Sequence, residues 1–355
     1  MSLSRALLGL VALPLCLHRR HRPRLRPSDP RILVIRRNRL GDMIYTLPLL
    51  HALRRHYPNA HLAVACDPSG APVAQACAAV NEVIVLKPGW NRWIASWKNA
   101  TGLQDYDWVI AAKGGRDRRL AVLSRLTNAA IRIGFARRTG RPSACYTDPV
   151  ALPAKPNEEH QIETLLRLLS PLGITNPKQM TIDLSLRVPE SSRQFAAAAL
   201  ALPPFATSRR FMLVNISSTV RLKFREDDFV ALATRLLGST DLALGFVAAP
   251  ADQPKARDWA ARLASDRVAA VATPGPLDLA ALLEHAALLL TPEGGAAHLA
   301  AVMNTPALVL WSEGPFQKWH SRGTNHIFVQ SERREPVIPV DRVWQALQPL
   351  LGPLS

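Results

Sequence analysis

Residues 31–66 read RILVIRRNRLGDMIYTLPLLHALRRHYPNAHLAVAC. RILVIR (31–36) is an unbroken apolar run of strand length. That is the pattern of a parallel strand buried on both faces. RNRLGDM (37–43) reads as a turn with a single glycine. From Ile44 to Tyr57 the apolar residues take helical spacing, with Leu47, Leu50 and Leu53 on one face. Pro58-Asn59 ends that helix, and HLAVAC (61–66) is a second strand. Strand, helix, strand within 36 residues is the unit of a parallel α/β sheet.

The same alternation continues outward. NEVIVL and DWVIAAK are further strands, RRLAVLSRLTNA is helical, and IRIGF follows as a strand. Residues 158–172 form a helix leaving this half. Residues 176–208, with VPESS and LPPFATS, read as the linker. The pattern then restarts: FMLVNIS, DLALGFVA, LLLTPE and ALVLW are strands separated by helices, and PVDRVWQALQPLL closes the chain as an amphipathic helix. This gives a basic arm (1–30), a first Rossmann-like domain (31–175), a second (209–335) and a terminal helix (336–355). The expected fold is two doubly wound α/β domains of similar build facing a cleft.

Composition limits the classes of function. The chain has 355 residues, 48% of them hydrophobic, and a formal net charge of +17. Its mean hydropathy is +0.02. Neither a disordered chain nor a multi-span membrane protein has this balance. Residues 1–39 hold ten arginines against one acid, so this short segment carries +9 of the +17. The segment opens with an apolar run (3–17) too short to span a bilayer. The basic, proline-rich HRRHRPRLRP (18–27) follows at once. An apolar segment inserting beside arginines that meet anionic headgroups would anchor the chain to a membrane surface; the other reading is a tail without function. The arm has no aromatics to stack on bases, so nucleic acid is not an expected partner. The four cysteines show no metal-ligand spacing, and a reducing compartment is the default.

Three places carry candidate chemistry. Asp42 follows the first strand, at the mouth of an open sheet where α/β ligands bind. It is either a general base or a cap for the following helix. Gly294, Gly295 and Ala296 lead from a strand into a helix bearing His298. Small residues there let backbone amides approach a diphosphate, or simply allow a tight turn. Ser218, Thr219 and Lys223 can bind and neutralise phosphate oxygens, or be a solvated helix start. One Asp-x-Asp pair, Asp105 and Asp107, lies at a strand entry and reads as a loop rather than a cation site; no metal and no other cofactor is expected.

RILVIRRNRLGDMIYTLPLLHALRRHYPNAHLAV, NISSTVRLKFREDDFVALATRL (215–236) and LLLTPEGGAAHLAAVMNTPALVLW (288–311) together resemble the ADP-heptose:lipopolysaccharide heptosyltransferases, glycosyltransferase family 9. DWVIAAKGG, IRIGF and EEHQIETLLRLLSPLGI are weaker likenesses in the same order. The resemblance implies a GT-B fold and inverting, metal-independent transfer of a heptose from ADP-heptose, with Asp42 as the catalytic base. It places Ser218, Thr219, Lys223, Gly294, Gly295 and Ala296 on the donor, with Lys223 also meeting charge on the leaving diphosphate; His298 either joins them at the phosphate or packs at the helix start. Asp252, after DLALGFVA, would face adenine or ribose. Glu293 stands where the family usually has Asp, which leaves the donor sugar open. Arg36, Arg39, Lys113 and Arg116 would line the site of an acidic, lipid-linked oligosaccharide acceptor. The expected setting is a monomer on the cytoplasmic face of a bacterial inner membrane. The alternatives are another nucleotide sugar or acceptor on the same fold, or a non-catalytic membrane-associated glycan- or nucleotide-binding protein.

Overall fold

The computed structural model describes residues 27–37, 39–86, 103, 105–115, 117–136, 143–174, 181–218, 224–332 and 337–351. The chain divides into two compact units, Met1–Ser185 and Leu186–Ser355.

The first unit is built on six parallel strands: β1 (Arg31–Arg36), β2 (His61–Cys66), β3 (Glu82–Val85), β4 (Trp108–Ala111), β5 (Ile131–Phe135) and β6 (Asp148–Val150). Their order is β3-β2-β1-β4-β5-β6. β1 is central, with Ile32 beside Leu62 on one side and Trp108 on the other. Ile32, Leu33, Val34 and Ile35 are fully buried, which is why this run shows no alternation. Two helices follow β1. The turn expected at 37–43 is instead a short helix, α1 (Leu40–Ile44), and the next, α2 (Leu47–His56), begins at Leu47 rather than Ile44. Pro48 explains the break: proline is at home in a first helical turn but not inside a continuous helix. Later come α3 (Ala71–Ala76), α4 (Arg118–Leu126) and α5 (Gln161–Leu166). A 3-10 turn, Arg167–Leu172, continues α5 and contains Pro171.

The second unit repeats the plan with β7 (Phe211–Asn215), β8 (Ala243–Ala248), β9 (Val268–Ala272), β10 (Leu288–Pro292), β11 (Ala307–Trp311) and β12 (His326–Gln330). The order β12-β11-β10-β7-β8-β9 is the same, read from the other edge. Its helices are α6 (Glu190–Leu200), α7 (Glu226–Ser239), α8 (Gln253–Arg262), α9 (Pro276–Leu283), α10 (Gly295–Met303), α11 (Phe316–Trp319) and α12 (Val340–Leu351). The stretch read as linker contains α6, which packs against α9. Its alanine run supplies helix propensity that outweighs the flanking prolines. α12 packs its buried Val343, Trp344, Leu347 and Leu351 into the unit's core. An aromatic set closes that core: Phe229 meets Phe224 at 4.7 Å and Trp259 at 5.2 Å.

Gly134 in β5 marks a close approach, since a methyl added there would stand 2.3 Å from the ring of the buried Tyr146. Gly134→Ala is expected to destabilise the chain by about 1–3 kcal/mol through overpacking, read as a lowered urea midpoint.

Candidate functional site

In a doubly wound sheet, connections leave the central strands in opposite directions, and the loops beyond their carboxyl ends part to form a crevice. In the first unit that switch point lies between β1 and β4; in the second it lies between β7 and β10. The motifs quoted above fall at these two places.

At the first, Arg36 ends β1 and is only 2% exposed. A buried guanidinium requires acceptors. Its Nε donates to the Asp42 carbonyl at 2.9 Å, Nη1 to the Ala112 carbonyl at 2.5 Å and Nη2 to Asp42 Oδ1 at 2.5 Å. Burial lowers its pKa, and the Asp42 charge works in the opposite sense. Expected on an acceptor-lining loop, Arg36 is a strand residue whose donors tie the ends of β1 and β4 to α1. Asp42 is not the N-cap: Arg39 holds that position and donates its amide to Asp42 Oδ2 at 3.3 Å, with Asp42 three residues into the helix. Thr46 adds a hydroxyl donor to the Asp42 carbonyl at 2.9 Å. One carboxylate oxygen is thus held by a cation, and the other meets one long amide contact.

Lys113, just after β4, pairs with Asp117 at 2.8 Å. Burial raises the Asp117 pKa, but Lys113 and the Leu120 and Arg119 amides more than reverse this and leave it lowered. Asp117 also caps α4. Arg37 lies 3.7 Å from Asp67, and Arg39 is exposed. Arg116 lies outside the described residues. Asp105 and Asp107 are at the opposite, amino-terminal edge of the sheet: Asp107 accepts the Arg31 amide at 2.8 Å, and the Asp105 carbonyl accepts Arg31 Nε at 3.0 Å. Among the described residues, no group of three His, Cys, Asp or Glu side chains is placed to hold a metal.

Sequence reasoning passed over Gln161. It is fully buried in α5, and neither carboxamide atom has a hydrogen-bond partner among the described residues. A buried amide in that state costs about 1–3 kcal/mol. A polar pair, Gln161 and Thr164, on an otherwise apolar helix face was the available signal.

At the second switch point, Asn215 ends β7 and donates to the Thr291 hydroxyl of β10 at 2.9 Å. These two were also passed over; each is a polar residue near the end of an apolar strand. Ser218 is half-buried beyond β7, and Thr219 and Lys223 lie outside the described residues. Its neighbour Ser217 donates to Asp252 Oδ2 at 2.6 Å and accepts the Ala249 amide at 2.8 Å, joining the ends of β7 and β8. Gly294 has φ +143, a conformation open to glycine, and a Cβ there would meet no atom within 4 Å. It precedes α10, whose first-turn amides, including those of Gly295 and Ala296, have no acceptor within the helix. Glu293 Oε1 accepts the Ser312 and Glu313 amides at 3.0 and 3.1 Å. Burial raises the Glu293 pKa, against these two amides. His298 is buried in α10, and burial, with His326 and His320 nearby, pushes its pKa down to about 3. Burial lowers His326 to about 4. Both rings are neutral near pH 7, so the turn offers N–H dipoles rather than imidazolium charge.

Two outcomes follow from this geometry. Arg36→Ala strips Asp42 Oδ1 and the Ala112 carbonyl of the guanidinium donors they share. Because Asp42 is partly exposed, the loss is expected at roughly 2–3 kcal/mol, below the range for a fully buried pair, measured by urea denaturation. Acid is expected to weaken the fold through the histidines. From pH 6.5 down towards 4 the unfolded chain binds protons at these rings and the folded chain does not, so stability falls as pH falls. His326→Asn should flatten that decline when urea midpoints are compared at pH 7, 5.5 and 4.5.

The fold resembles those of known proteins. A glycosyl transferase family 9 structure from Veillonella parvula superposes with a TM-score of 0.77 at 21% identity, covering 92% of this chain and 98% of that one. Escherichia coli ADP-heptose lps heptosyltransferase II gives 0.72 at 19% identity, over 90% and 98%. Escherichia coli heptosyltransferase WaaC with ADP gives 0.71 at 21% identity, over 90% and 99%. No curated protein sequence matches. The two Rossmann-type units therefore have the GT-B architecture. The family model for glycosyltransferase family 9 (heptosyltransferase) matches residues 94–341, and by that match the chain belongs to this family of glycosyltransferases.

Proposed function

We propose that the chain is an inverting transferase that moves a heptose from ADP-heptose to a lipopolysaccharide core or related glycolipid acceptor. The observation that carries this reading is the Asp42 carboxylate, held by Arg36 at the carboxyl end of the central strand. With Oδ1 fixed by the guanidinium, Oδ2 is the oxygen with capacity for a proton. It takes the proton of an acceptor hydroxyl while that oxygen attacks the anomeric carbon. The bond from that carbon to the diphosphate breaks, ADP leaves with the electron pair, and a single displacement inverts the anomeric configuration. Arg36 acts through Asp42 and is a positioning residue.

Ser218, Thr219, Lys223 and the turn Gly294–Gly295–Ala296 hold the donor diphosphate, with His298 supplying a neutral N–H donor and Lys223 meeting the charge that develops on leaving. Asp252 serves the nucleoside side through its link to Ser217. ADP named with the Escherichia coli WaaC structure supports the nucleotide assigned here. The acceptor is a lipid-linked acidic oligosaccharide, and the basic arm brings the chain to the cytoplasmic membrane surface. No helix among the described residues is long and apolar enough to cross a membrane.

One observation favours a variant of this reading, in which the donor sugar differs from heptose. Glu293 spends Oε1 on two loop amides, so its carboxylate has less capacity for sugar hydroxyls than a group free on both oxygens.

ADP and ADP-heptose are expected to raise Tm, with ligand at 100 times Kd adding about 2.7 kcal/mol, while UDP and GDP do not. Asp42→Asn should abolish transfer and leave ADP affinity within a factor of two. Full transfer by that variant removes Asp42 as the base, and a response to UDP alone removes the ADP-sugar reading.

A further inference from the structure

Gln161 takes no part in the steps above. It is 0% exposed, and both its carboxamide atoms lack partners among the described residues. It lies directly over Gly114, in the turn that ends β4: a methyl on Gly114 would stand 1.9 Å from Nε2 and 2.4 Å from Oε1. Next in that turn, Gly115 has no atom within 4 Å of the corresponding position. Thr164, three residues along the same helix face, is buried with an unpartnered hydroxyl. His160, just before Gln161, meets Tyr45 edge-on at 5.4 Å, and Tyr45 caps the helix that carries Asp42. The Gln161 carboxamide thus borders the turn after β4, and its neighbour His160 touches the end of the helix that carries Asp42.

Among the described residues of the two loops, the inner cations are each paired with a carboxylate. Arg36 faces Asp42, Lys113 faces Asp117 and Arg37 faces Asp67, while Arg39, Arg118 and Arg119 are exposed. A carboxamide offers a donor and an acceptor side by side, and a threonine hydroxyl is both. Sugar hydroxyls have this same dual character. A phosphate or carboxylate only accepts, and would set its charge against Oε1.

We propose that Gln161, with Thr164, is a specificity-determining residue that reads hydroxyl groups of an uncharged sugar residue in the acceptor, the Gly114–Gly115 turn shifting to admit it. Anionic groups of the acceptor stay outside, at the exposed arginines. This rests on the transferase reading and names what its acceptor presents at this crevice.

The test uses the full chain, ADP-heptose and deacylated lipopolysaccharide core oligosaccharide, the latter with and without phosphatase treatment. The KM of the wild-type chain for the two oligosaccharide forms is expected to agree within about threefold. Gln161→Leu and Gln161→Met should each raise both KM values at least tenfold. ADP Kd should not change, and Tm should be unchanged or higher, because an unsatisfied polar group has been removed. An unchanged KM in both variants overturns the subsite while leaving the transferase reading intact. So does a Tm loss of several degrees with weakened ADP binding, which makes Gln161 structural, or a strict need for phosphate. If the wild-type chain transfers nothing from ADP-heptose, the heptosyl-transfer reading falls and the subsite with it.

Discussion

A guanidinium at the end of a buried parallel strand dictates much of the first unit. β1 is otherwise apolar, and its inner residues are shut from water. Arg36 is tolerated there because two carbonyls and one carboxylate converge on it from α1 and from the end of β4. Each of those groups is fixed in return. The Asp42 backbone, its carboxylate and the Ala112 carbonyl share one rigid planar fork. The placement of Asp42 therefore follows from solvation of a buried cation, and its precision comes from the strand rather than from a surface loop.

The second unit ties the ends of its central strands together through hydroxyl, amide and carboxylate groups. Asn215 and Thr291 bridge the ends of β7 and β10, and Ser217 bridges β7 to β8 through Asp252. His298 and His326 are kept neutral by burial. The glycine turn before α10 presents helix-start amides where the first unit presents a carboxylate. Oriented dipoles suit a group that arrives carrying its own negative charge, because they need no counter-ion to be stripped away first. The contrast between the sheets is that between a carboxylate held by a buried cation and a turn of helix-start amides.

Much of this was legible in the residues. Continuous apolar runs such as RILVIR and ALVLW announce strands covered on both faces, and polar strand ends mark where the crevices open. Short and edge elements were not legible: β6 spans three residues, and β9 is a run of valine and alanine whose partial burial leaves no clear period. The helix around Asp42 was hidden because Gly41 and the nearby arginines look like turn chemistry, while its stability comes from Arg36, a tertiary partner. Nor did local sequence indicate that Arg36 and Lys113 would be matched by carboxylates, since neither Asp42 nor Asp117 declares its partner. Gln161 was missed for the same reason: an orphaned amide is a property of three dimensions.

Each unit has a cluster of its own, one drawing on β1 to β4 and the other on β7 to β12 and α12. In evolutionary terms, a chain assembled from two repeats of one plan can let one half drift, duplicate or be recombined while the other is preserved.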